Sequence, residues 1–275
     1  VAAVSTGPAS VEALADVWSA ILALGRTLDD AAWATPTPLP GWTVKDVVSH
    51  ISGTELAFMG RPDPPPERPI DHPWIRNDFA RHVEVAVERR RPWPPAEVLA
   101  EFEAVTSERL AGLRALDEAG FAAETITPVG PGTVERLLHF RVFDSWVHEH
   151  DIRAALGLPW RFESPAFGRT WEMTVGGWPR QVVKAAGAPD GTVVVVRLDG
   201  DGLTRTVAVV VEGGRGRLVE GAEAEGLRPT VSLTATAPVL LQVAWGRLDP
   251  ATPAVAVEGD ADLARRVLAT LNFVP

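Results

Sequence analysis

The chain has 275 residues, a formal net charge of −10 and 46% hydrophobic residues, enough for two ordinary domains with real cores. It has no cysteine, which excludes disulfides, thiolate metal sites and cysteine nucleophiles; any thiol chemistry must use a thiol brought from outside. The acidic balance, without a basic stripe, argues against nucleic acid as a partner.

The opening stretch, "VAAVSTGPAS", has neither the basic nor the apolar region of a secretory signal, and no run reads as the ~18 uncharged apolar residues of a membrane span. A cytosolic protein without membrane partners is expected. In "ASVEALADVWSAILALGRTL", Leu14, Trp18, Ile21 and Leu22 form one stripe of an amphipathic helix. "TPTPLPGW" breaks that helix. The next starts at Thr43, an N-cap with Asp46 three residues on, a variant of the capping box. After the proline-rich "RPDPPPERPIDHP", helices are predicted over about 74–90, 95–116 and 133–156. "ERRRPWPP" reads as a solvated helix end, and Gly157 before Pro159 ends the last of these helices.

Beyond this point the texture changes. A helix is predicted over about 165–186, then "GTVVVVRLDGDGLTRTVAVVVEGG" reads as a β-hairpin. "RGRLVEG" and "PTVSLTATA" read as strands, "APVLLQVAWGRL" and "DADLARRVLATLNF" as helices, and "PAVAVEG" as a short strand between them. The expected architecture is a helical bundle over 1–157 followed by an α+β domain over 158–275.

The helix around "HFRVFDSWVHEHDIRAALG" carries the chemistry. Asp144 and His148 are four apart and share a face, with Arg141 and Asp151 one turn away on either side. His150 is turned by about 200° from His148, and His139 also falls on the far side. Leu137, Phe140, Phe143, Val147 and Ile152 imply burial, where an unpaired charge is costly and a metal ion is one remedy. A third ligand has to come from a facing helix, and His50 in "VVSHISG" is the strongest candidate, ahead of His72 and His82. The competing reading of each is a hydrogen-bonded core histidine or a capped surface pair. Glu149, His150 and Arg153 are expected to be solvent or interdomain polar residues. "HEH" is not a zincin motif, because Ile152 stands where the second histidine belongs. No Gly-x-Ser-x-Gly elbow is present. The ten tryptophans read mainly as core, with Trp146 a candidate to line a pocket.

"PLPGWTVKDVVSHISG" and "RVFDSWVHEHDIRAALGLP" together resemble the mycothiol-dependent maleylpyruvate isomerase family, within the wider DinB-like four-helix-bundle superfamily. The tail "VAWGRLDPATPAVAVEGDADLARRVLATLNF" is similar to the sterol-carrier-like second domain found after such bundles. The resemblance implies a divalent metal, usually zinc, held by His50, Asp144 and His148, with aspartate here where the isomerase is expected to carry glutamate. It also implies mycothiol as thiol cosubstrate, activated as a metal-bound thiolate for isomerisation or S-transfer on a small electrophile. Two histidines and one carboxylate leave a coordination position open, as in catalytic zinc sites. Lys45 and Lys184 are the only lysines, an arginine bias in keeping with a high-GC genome and hence an actinobacterial thiol. For a carboxylated substrate, Arg247 resembles a second-domain arginine that faces the active site, and Arg81 is a second catalytic candidate. The alternative is a non-catalytic small-molecule-binding protein with a structural metal. A non-haem iron oxygenase with the same triad ranks last, since those sites generally sit on β-barrels.

Overall fold

The computed structural model describes residues 6–272, so the opening residues read above for a signal lie partly outside it. The chain divides into two compact units, one ending at Thr170 and one beginning at Trp171.

In the first unit, α1 (Gly7–Gly25), α3 (Val44–Phe58), α5 (Pro95–Arg114) and α7 (Val134–Ala155) form a four-helix ring. In that ring α1 packs on α7 and α5, and α3 packs on α5 and α7. Helix α4 (Asp78–Arg90) is a fifth, lying against α3. Gly53 permits that approach, because a Cβ there would sit 2.3 Å from the Ala86 Cβ. Of the predicted stripe of α1, Leu14, Trp18 and Ile21 are buried and Leu22 half-buried, while Val17 joins the buried face. By length and composition α1 could cross a membrane, yet it carries Glu12 and Asp16 and turns this stripe into the core. The Thr43 cap forms as a full capping box with Asp46. Helix α4 starts four residues later than predicted because Asn77 caps it by accepting from the Ala80 N–H.

Three short features of this unit escaped the sequence reading: α2 (Asp30–Trp33), α6 (Glu118–Ala122) and the hairpin of β1 (Glu124–Thr127) and β2 (Gly130–Thr133). Each has too few residues to show a period. The arginine run is solvated only in part, at the exposed Arg89. Arg90 is fully buried between Asp63 and Glu101, and Arg91 pairs with Glu84 and Glu88.

The division falls at Thr170 rather than near Gly157 because the segment after α7 folds back on the bundle. Trp160, Phe162 and Phe167 surround the buried Trp146, while Arg161 grips Asp16 with both oxygens at 2.8 Å and also bonds Glu149. Trp146 is therefore core rather than pocket wall.

The second unit contains a five-stranded sheet in the order β5-β4-β3-β6-β7. Its strands are β3 (Val193–Leu198), β4 (Arg205–Glu212), β5 (Arg215–Glu220), β6 (Val231–Ala235) and β7 (Ala256–Gly259). The β3–β4 hairpin is the one predicted, with Val195 opposite Ala208, and among the described strands only the β3–β6 pairing is parallel. Strand β3 opens with four valines, and Val194, Val195 and Val196 are buried on both faces, as an apolar run requires. The helix predicted over 165–186 is instead α8 (Pro165–Gly176), α9 (Trp178–Arg180) and a π-helical turn (Gln181–Ala185), broken where Gly177 and Pro179 interrupt the pattern. Helix α10 (Ala222–Glu225) packs on β4 and β5, and α12 (Ala261–Thr270) on β6 and β7. Helix α11 (Ala237–Ala244) lies between β6 and β7 in sequence. A bundle followed by an α+β unit is thus the fold class read from the sequence.

Candidate metal centre

Helices α3 and α7 are neighbours in the ring, and each brings its half of the site to their contact. His50 Nε2 lies 3.7 Å from Asp144 Oδ2, and His148 Nε2 lies 3.5 Å from Asp144 Oδ1. The two imidazole centroids are 4.8 Å apart, edge to face. One donor atom from each of the three residues falls within 4.8 Å of the others. Ligands about 2.1 Å from a shared tetrahedral centre would stand roughly 3.4 Å apart, close to the two spacings here.

His50 has the strongest need of a partner. It is buried, and neither ring nitrogen has a hydrogen bond among the described residues. Burial pushes its pKa below the ordinary histidine value, and the adjacent Asp144 charge only partly opposes this. A neutral, unpartnered buried imidazole is costly as a core residue and suited as a metal ligand. His148 is held differently. Its Nδ1 hydrogen bonds to Asp151 Oδ2 at 2.9 Å, which turns Nε2 toward Asp144. A carboxylate on the far nitrogen is the usual outer-shell support of a ligating histidine. Without a metal, burial lowers the His148 pKa but Asp144 and Asp151 outweigh it, and the value rises to about 9. Asp144 is half-buried. Desolvation raises its pKa, yet the Arg141 and His148 charges hold it well below the usual carboxylate range. The donor set and the orphaned imidazole therefore fit a divalent cation.

Trp42 walls the site, its ring centred 5.1 Å from His50 and 6.1 Å from His148. Its Nε1–H donates to the buried Glu84 at 2.9 Å. Gly41 makes this turn possible: its φ is +77°, and a Cβ there would meet the Trp74 ring at 2.4 Å. The "GW" pair of the first motif thus sets one wall of the centre.

The other expected residues have local partners of their own. Arg81 is exposed on α4 and donates to the Ile70 carbonyl. Arg247 lies half-buried in the second unit and donates to the Trp245 carbonyl at 2.8 Å. Glu149 and His150 are buried rather than solvent-facing, and Arg153 is mostly covered. His150 stacks on Trp146 at 3.7 Å, donates from Nδ1 to the Trp146 carbonyl and accepts the Arg161 N–H at Nε2. It is a satisfied core histidine, turned from His148 as the helical count predicts. His139 pairs with the Thr6 hydroxyl, and His82 is exposed. His72, Glu84 and Glu88 form a second cluster, but Arg91 already supplies its cation, 2.8 Å from each carboxylate.

The sequence reading missed Glu55 altogether. It is fully buried, with Arg141 Nε on one oxygen at 2.7 Å and Arg109 Nε on the other at 3.1 Å. It stands five residues after His50, an offset that helical periodicity assigns to another face, so no local signal pointed to it.

Two solved structures resemble the chain: a mycothiol-dependent maleylpyruvate isomerase and a histidine-to-alanine mutant of it. In each case identity is 16%, 90% of this chain and 91% of the other are covered, and the TM-score is 0.56. At that identity the likeness concerns the fold. Among curated proteins, none matches significantly. The profile of the mycothiol maleylpyruvate isomerase N-terminal domain matches residues 14–153, from the buried stripe of α1 to the last turn of α7, and so includes all three members of the triad. The chain belongs to that family.

Proposed function

We propose that this protein is a divalent-metal-dependent enzyme that uses a low-molecular-weight thiol, mycothiol by its family, for isomerisation or S-transfer on a small electrophile. The observation that carries the reading is the convergence of His50, Asp144 and His148, with His50 buried and otherwise unpartnered. Zinc suits two imidazoles and a carboxylate. When bound, the cation would supply a Lewis acid that holds a thiol as thiolate at neutral pH. The thiol must be external, since the chain has no cysteine.

The chain's own residues then have separable tasks. With a cation bound, His50 and His148 would present neutral ring nitrogens, and Asp151 would keep the His148 proton on Nδ1. Asp144 supplies the negative charge. Trp42 covers one side of the imidazole pair and excludes water from it. For a carboxylated substrate, Arg247 and Arg81 are the proposed cationic contacts. A cytosolic setting, where low-molecular-weight thiols stay reduced, suits this chemistry.

The test is metal analysis of the purified wild type and His50→Ala, followed by mycothiol titration of the cobalt-loaded protein. The wild type should carry close to one equivalent, the variant should lose it, and the thiol should shift the cobalt spectrum. Equal metal content in the two proteins refutes the site. A metal-bound protein blind to thiols refutes the thiol-dependent activity while keeping the centre.

A further inference from the structure

We infer that Arg141, braced by the buried Glu55, is the positioning residue that fixes the Asp144 carboxylate against the two imidazoles. The inference rests on the metal reading above and extends it to side chains outside the triad.

Asp144 is short and its side chain is 29% exposed, so little packing holds its carboxylate in one rotamer. Arg141, three residues earlier on α7 and itself buried, donates from Nη1 to Asp144 Oδ2 at 2.9 Å. That is the same oxygen that faces His50 Nε2, which leaves Oδ1 toward His148. Arg141 is in turn locked by its Nε–H bond to Glu55 on α3, while its guanidinium lies 5.6 Å from the Phe58 ring centroid. The Glu55–Arg141 pair therefore ties together the two helices that carry the triad, and Arg109 on α5 secures the other Glu55 oxygen.

Charge explains why Glu55 is needed as well. A guanidinium in contact with a ligating carboxylate repels an incoming cation, and in a buried setting that repulsion is poorly screened. The fully buried Glu55 carboxylate offsets it and leaves Arg141 to orient Asp144. Arg109 contacts Glu55 but not Asp144, so it shares the structural role of the network without the positioning role.

The experiment measures Zn2+ and Co2+ dissociation constants by chelator competition, the Co2+ visible spectrum, and the thermal midpoint for wild type, Glu55→Gln, Arg141→Lys and Arg109→Gln. Glu55→Gln should weaken cation binding by about tenfold to a hundredfold and alter the cobalt bands. Arg141→Lys should not rescue binding, because one ammonium cannot replace the planar fork that spans Glu55 and Asp144. Arg109→Gln should lower the thermal midpoint yet keep affinity and spectrum close to wild type. Wild-type affinity and spectrum in both Glu55→Gln and Arg141→Lys would overturn the inference, as would an Arg109→Gln loss equal to that of Glu55→Gln, which would mark a purely structural network. These outcomes are distinct from failure of the metal reading, in which the wild type itself shows no His50-dependent binding and both conclusions fall together.

Discussion

His150→Gln separates the core histidine of α7 from the proposed ligand histidine two residues before it. His150 is 1% exposed, and burial drives its pKa from 6.5 to about 3, against the smaller opposing effect of its bond to the Trp146 carbonyl. A folded-state pKa depressed below the unfolded value means that the unfolded chain binds the extra proton first. The histidine's contribution is therefore fully present above pH 6.5 and is lost as pH falls toward 3. At about 1.4 kcal/mol per unit, the loss is on the order of 2 kcal/mol at pH 5 and about 4 kcal/mol at pH 3. Glutamine cannot take up that proton. The variant should be less stable at pH 7.5, since it forfeits the ring stacked on Trp146, but its stability should fall less steeply between pH 6.5 and 5. Urea denaturation of the metal-free proteins, followed by tryptophan fluorescence across that window, reads the two slopes. All other titrating groups are common to both proteins and cancel. Parallel slopes would refute the assignment of His150 as a buried neutral histidine. Loss of metal from His150→Gln would refute the division of labour between the two histidines.

Two further outcomes follow from local geometry. Asp151→Asn keeps an acceptor for His148 Nδ1 but removes the charge that raises its basicity, so zinc affinity in a chelator competition should fall about tenfold or more; unchanged affinity would show that Asp151 gives no outer-shell support. Thr43→Ala removes the hydroxyl of the capping box at the start of α3, where Thr43 accepts from the Asp46 N–H and bonds its carboxylate. That costs about 1 kcal/mol, a fall of roughly 2–4 °C in thermal midpoint for a unit of this size, and a midpoint equal to wild type would count against the cap.

Much of the fold was legible because its signals are short-range. The α1 stripe, the Thr43 box, the stop at Gly157 and the β3–β4 hairpin each depend on residues within a turn or two of one another. Irregular pieces were lost for the same reason: α2, α6 and the β1–β2 hairpin are too short to carry a period. The compact units divide at Thr170 rather than near Gly157, since Trp160, Arg161 and Phe162 are fastened to partners as distant in sequence as Asp16. The burial of Arg90 followed from Asp63 and Glu101, neither of which lies beside it in the sequence.

The candidate centre divides along the same line. That Asp144, His148 and Asp151 share a face is a property of 3.6 residues per turn, and the sequence alone determines it. That His50 is the partner across the helix contact, with His72 engaged by Glu88 and His82 in solvent, was decided by the packing of α3 on α7, elements separated by more than seventy residues. The same packing buries Glu55 against Arg141 and Trp42 against both imidazoles, interactions that no helical count encodes. Periodicity specifies which direction a side chain leaves its own helix. Only the arrangement of helices specifies what it meets.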